Sequence, residues 1–117
     1  MSTELEYWQQ LVLPEQHELL QLLSNQKQVE AKLLKELRAK WPEEIVHRAI
    51  ELTRARHKAQ SKFSQAAELL VDLDGVEQSS SERVAHYKAK RYAQLKSALI
   101  LDLCCGVGGD SMALVQA

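Results

Sequence analysis

Only Gly75, Pro14 and Pro42 punctuate the first hundred residues, and the other three glycines of the 117-residue chain crowd into Gly106–Gly109. So few breakers favour packed helices over the first hundred residues, because turns of positive φ and sheets need more punctuation. The change of character comes at residues 98–110, Ala-Leu-Ile-Leu-Asp-Leu-Cys-Cys-Gly-Val-Gly-Gly-Asp. Five of its first six residues are apolar, the pattern of a parallel strand buried on both faces. An acid and a glycine turn end the run, and residues 111–115 read as the first turns of a helix. This strand, turn and helix would make a nucleotide-type binding corner.

Helical spacing predicts the upstream elements. Leu5, Trp8, Leu11 and Val12 mark a helix over about Thr3–Val12. Pro14 suits the first turn of the next, whose buried side is Leu19, Leu20, Leu22 and Leu23 and which ends at Ser24-Asn25. Val29, Leu33, Leu34, Leu37 and Trp41 form the stripe of a third. Pro42 stops that helix and starts a fourth, carrying Ile45, Val46, Ala49, Ile50 and Thr53 to about Gln60. Residues 61–81 are weakly patterned, with Asp72-Leu-Asp-Gly75 reading as a turn. Ser79 and Glu82 stand at capping-box spacing before a last helix over 81–94, with Val84, Tyr87, Arg91 and Leu95 on one side. The expected fold is therefore mainly α. A small bundle-like helical domain fills 1–96, and the opening strand-turn-helix of a truncated Rossmann-like domain fills 97–117.

Composition bounds the function classes. Hydrophobic residues make 45% and charged residues 26%, as in soluble globular proteins, and the net charge is −1. The N-terminus lacks the basic and apolar regions of a signal peptide, and no apolar run approaches the ~20 residues of a membrane span. A cytoplasmic location is expected. Cys104 and Cys105 are adjacent, with no CxxC pattern or histidine cluster, so no metal site is expected and they read as small apolar residues at a strand end. The four histidines are scattered and form no catalytic pair, which leaves the catalytic residues unassigned.

Charge is uneven along the helices. From Ile45 to Ser64 five cations face one acid, net +4, and from Arg83 to Lys96 five cations face none, net +5. Arg56, Lys58, Lys62, Lys88 and Arg91 are thus candidates for contact with RNA phosphates. The alternative is a pair of solvated faces, with Lys62 beside Phe63 acting as a structural anchor. Glu77 and Gln78, just before the last helix, either line a substrate pocket or cap helix backbones.

The pattern Asp102-x-x-x-Gly106-x-Gly108-Gly109 is similar to the first motif of class I S-adenosylmethionine-dependent methyltransferases; a dinucleotide loop would read Gly-x-Gly-x-x-Gly. Two further segments narrow this. Arg56-His-Lys-Ala-Gln-Ser-Lys-Phe63 resembles the Arg-x-Lys-Ala-x-x-Lys-Phe signature of a bacterial methyltransferase family with a helical N-terminal region, a class I catalytic domain and a C-terminal THUMP-like domain. Val76-Glu-Gln-Ser79 with Val84-Ala-His-Tyr-Lys-Ala-Lys-Arg-Tyr92 resembles its second block, usually Leu-Glu-Gln-Ala and His-Arg-Ala-x-Arg-Phe; Lys88 and Tyr92 are mild departures. Asp102 to Asp110 matches its cofactor loop closely. The resemblance spans about residues 54–114. It implies that Asp102, Cys104, Gly106, Val107, Gly108, Gly109 and Asp110 hold S-adenosylmethionine. It also implies an RNA substrate, and partners in the rest of the methyltransferase domain and the THUMP-like domain, so that these 117 residues are a fragment inactive alone. The reading from another class is a non-catalytic helical binding module with an incidental or vestigial glycine loop.

Overall fold

A computed structural model describes residues 3–117. It contains seven α-helices and two short 3₁₀ turns, and no strand among the described residues. Two compact units meet in sequence at Arg54/Ala55.

In the first unit, α1 spans Glu4–Leu11. Its first turn is closed by a capping box: Thr3 Oγ1 accepts from the Glu6 amide at 3.3 Å, and the Glu6 carboxylate accepts from the Thr3 amide at 3.0 Å. A 3₁₀ turn over Pro14–Gln16 leads into α2, His17–Ser24. Helix α3, Ala31–Lys40, stops at Trp41, which is extended because Pro42 disfavours helical geometry in the residue before it. Helix α4 runs Glu43–Ala59. Leu11, Leu19, Leu23, Leu37, Ile45, Val46, Ala49 and Leu52 make the core, with Trp8, Val29, Leu33, Leu34 and Trp41 packed around it. The periodic stripes thus face inward, except that Leu5, Val12 and Leu22 remain exposed.

The second unit begins with the last turns of α4. Beyond a 3₁₀ turn, Ala66–Glu68, come α5 (Leu73–Gln78), α6 (Glu82–Ala93) and α7 (Gly109–Gln116). Ala55, Ala59, Phe63, Ala66, Val71 and Val76 form its main core, and Ala85, Ala89 and Ala113 a second cluster.

Four local expectations are corrected here. Asp72–Gly75 is no free turn but the start of α5: Asp72 Oδ1 accepts from the Gly75 amide at 2.9 Å. The cap of α6 is Ser81, not Ser79; the Ser79 hydroxyl turns back to the Val76 carbonyl, while Glu82 accepts from the amide and hydroxyl of Ser64. The large side chains of α6 face outward, with Val84 48% and Tyr87 62% exposed, because its buried seam is alanine, and Leu95, just past the helix, is 68% exposed. Residues 98–103 form no strand. A strand satisfies its backbone through a neighbour, and among the described residues there is none to pair with. Leu99, Leu101 and Leu103 accordingly stay more than two-thirds exposed.

Truncating the fully buried Leu19 to alanine should destabilise the first unit by about 2–5 kcal/mol, through lost transfer energy and a residual cavity. Denaturant titration followed by the fluorescence of Trp8 and Trp41, both packed on that core, measures it.

Candidate cofactor loop and its support

The link from residue 102 into α7 is a chain of left-handed positions. Cys104, Gly106 and Gly108 have φ of 56°, 56° and 79°. Glycine takes such angles freely, whereas an L-side chain there costs about 1–2 kcal/mol. A Cβ at Gly106 or Gly108 would meet no atom within 4 Å, so both glycines border open space. The Gly108 amide donates to the Cys105 carbonyl at 2.9 Å, and the Gly108 carbonyl accepts from the Met112 amide at 2.9 Å, which starts α7. The Ser111 hydroxyl donates to Asp102 Oδ2 at 2.6 Å, tying the acid before the turn to the first turn of the helix after it.

The intervening residues face the protein. A Cβ on Gly75 would lie 2.7 Å from Val107 Cγ1, so the valine methyl rests directly on the bare backbone of α5. Gly109 meets the Phe63 ring in the same way, at 3.2–3.3 Å from where its Cβ would stand. Asp110 is held by Lys88 of α6, whose ammonium lies 2.8 and 2.9 Å from its two oxygens and 3.4 Å from the Ser80 hydroxyl. A cleft of ≈ 220 Å³ opens beside the loop, lined by Lys88, Tyr92, Ile100, Asp102 and Asp110.

The upstream candidates converge on the same unit. Lys62 Nζ donates to the carbonyls of Val76, Glu77 and Ser79 at 2.6, 3.0 and 2.7 Å. Its own carbonyl accepts from the Glu82 amide at 2.8 Å. Arg56 Nε donates to the Leu69 carbonyl at 2.7 Å, and burial lowers the guanidinium's pKa. Lys58 pairs with Glu77, and that hydrogen bond and charge hold the Glu77 carboxyl below the ordinary 4.5. Arg56, Lys58, Lys62 and Lys88 therefore bind their own chain. Gln78 and Arg91 stay exposed. Cys104 and Cys105 are free thiols, and no metal-ligating cluster occurs among the described residues.

Sequence reasoning named Phe63 only within the family-like signature and beside a Lys62 anchor, and missed Gly75, Ser80 and Ser111 as parts of this assembly. Gly75 carried a usable signal, since a lone glycine in a helical stretch marks a close backbone approach. The hydroxyls carried none. No protein-family model, curated protein or solved structure matches the chain.

A carboxyl with a lowered folded pKa stabilises the protein above its unfolded value, and that contribution is lost as pH falls through the folded value. The Lys58–Glu77 contribution should therefore be intact at neutral pH and disappear on acidification below about 4.5. Carbon NMR titration of Glu77 should show a midpoint below 4.5 that returns to the ordinary value in Lys58→Met.

Proposed function

We propose that these residues carry the helical region and first cofactor motif of an S-adenosylmethionine-dependent methyltransferase of the THUMP-like-domain family, acting on RNA. The observation that carries this reading is the turn itself: Gly106 and Gly108 are left-handed, border open space, and lie between the Asp102 carboxylate and the start of α7. The donor set suits the group. Asp102 offers a carboxylate to a ligand ammonium, and the bare backbone at Gly106 and Gly108 admits close approach of the ligand. Cys104, Val107, Gly109 and Asp110 shape that backbone, with Val107 and Gly109 held from the protein side. Contact among the three family-like segments, through Lys62, Phe63, Gly75 and Val107, supports reading them as one working unit. When bound, the cofactor supplies an electrophilic methyl group on a sulfonium. The work left to these residues is orientation and water exclusion rather than proton transfer.

Because Arg56, Lys58, Lys62 and Lys88 bind their own chain, the RNA contact in this reading falls to other cations of α6 and the segment after it. Arg83, Lys90, Arg91 and Lys96 are exposed and form no ion pair among the described residues. Tyr87 and Tyr92, also well exposed, lie among them and offer faces on which bases can stack.

In protein that includes the rest of the catalytic domain, Gly106→Val and Gly108→Val should abolish S-adenosylmethionine binding by calorimetry. The valine has room for its Cβ, so the loss comes from the strained φ and from occupation of the open face. Asp102→Ala should cost about 1.5–3 kcal/mol of affinity. Wild-type protein that takes up no S-adenosylmethionine would leave the glycine loop a connector and the chain a helical binding module.

Single-stranded RNA binding should weaken with salt, each phosphate contact adding about −0.7 to the log–log slope. Replacing Lys90, Arg91 and Lys96 by alanine should flatten that slope by about 2 units with little change in melting temperature. Replacing Arg56, Lys58 and Lys62 should lower the melting temperature instead. Filter binding at several salt concentrations beside melting curves reads both, and an unchanged slope in the first variant removes RNA from this face.

A further inference from the structure

We propose that Lys62 and Phe63 are positioning residues for the glycine loop, acting through Gly75 and Val107 on one flank and Gly109 on the other. The argument runs through alternate residues of the loop. Gly106 and Gly108 border open space, while Val107 and Gly109 are seated on Gly75 and Phe63. The loop is thus fixed from one side at two points that flank Gly108 and left bare on the other. The seat under Val107 is α5, a helix of six residues. A helix this short does not persist alone. Asp72 caps its first turn, and Lys62 binds the carbonyls of Val76 and Glu77 near its end and of Ser79 just past it. None has a backbone partner inside the helix, although the Ser79 hydroxyl also donates to the Val76 carbonyl, and they lie at the end whose dipole favours a cation. Removing the ammonium frees the end of α5, and with it the surface on which Val107 rests. Phe63, next in sequence, is 5% exposed and closes the opposite flank. Neither residue reaches the open face. That this order serves a cofactor rests on the methyltransferase reading; the mechanical link does not.

Hydrogen exchange on the full chain tests the link without any ligand. The reporters are the Gly108 and Met112 amides, which bond within the turn and at the start of α7, with the Ala85 amide of α6 as comparator. Lys62→Met keeps the aliphatic stem and removes the donors. It should cut reporter protection about tenfold while Ala85 changes little. Val107→Ala should loosen the same reporters, and the double variant should be no worse than Lys62→Met alone, since both act along one path. Equal loss at reporters and comparator, unchanged reporters in Lys62→Met, or additive losses in the double variant would each overturn the proposal. In protein with the rest of the catalytic domain, the Lys62→Met dissociation constant for S-adenosylmethionine should rise about tenfold. Reporters that loosen in Lys62→Met, beside wild-type protein that binds no S-adenosylmethionine, would uphold the positioning role and remove the methyltransferase reading.

Discussion

The seat of the glycine loop depends on one cation. An ammonium has three hydrogens, and Lys62 directs them at three backbone carbonyls within four residues of one another. Its stem and head are only partly exposed, so these bonds face weaker competition from water than surface pairs do. Around this point the chain doubles back. The Lys62 carbonyl receives the first amide of α6, and Ser64 donates twice to Glu82. The segment after α4, the end of α5 and the start of α6 are thereby joined within a few ångströms, through polar groups that include helix ends lacking partners within their own helices.

Apolar contacts in this unit are made by small groups. Ala85, Ala89 and Ala113 allow the backbones of α6 and α7 to approach closely, and Gly75 and Gly109 do the same beneath the loop. Such packing offers little transfer energy per residue compared with the leucine-rich core of the first unit. Charged hydrogen bonds complement it: Arg56 to Leu69, Lys58 to Glu77 and Lys88 to Asp110 each join segments distant in sequence. The bonds of Lys62 and Arg56 to carbonyls are less sensitive to acid than a carboxylate pair, because carbonyls do not titrate. Exposed pairs such as Lys58–Glu77 contribute modestly.

This use of cations changes the meaning of the basic runs. Seen along the chain, residues 45–64 and 83–96 are equivalent patches. In the structure the first run supplies Arg48 to Glu4 and Glu51, and Arg56, Lys58 and Lys62 to partners in their own unit. The second run gives up only Lys88 among the described residues, and leaves a cationic helix with exposed tyrosines between its charges. Charge density in sequence cannot separate these cases, since a lysine that meets a carbonyl and one that meets water have the same neighbours in the chain.

How legible each part was follows from the range of the interactions involved. The helices of the first unit were readable from leucine and tryptophan spacing, and their ends from Thr3, Pro14 and Pro42, because periodicity, caps and prolines act over one or two turns. The glycine turn was readable too, since Gly106 and Gly108 answer a local demand of the backbone. What tertiary structure decided was every pairing across distance: Lys62 with the end of α5, Val107 on Gly75, Phe63 on Gly109, Lys88 with Asp110. It also decided the side of α6 that packs, because an alanine seam leaves no apolar stripe to read. The run over 98–103 shows the limit most plainly. Its residues have the composition of a buried strand, but a strand exists only through the hydrogen bonds of a neighbour, and no local sequence supplies those.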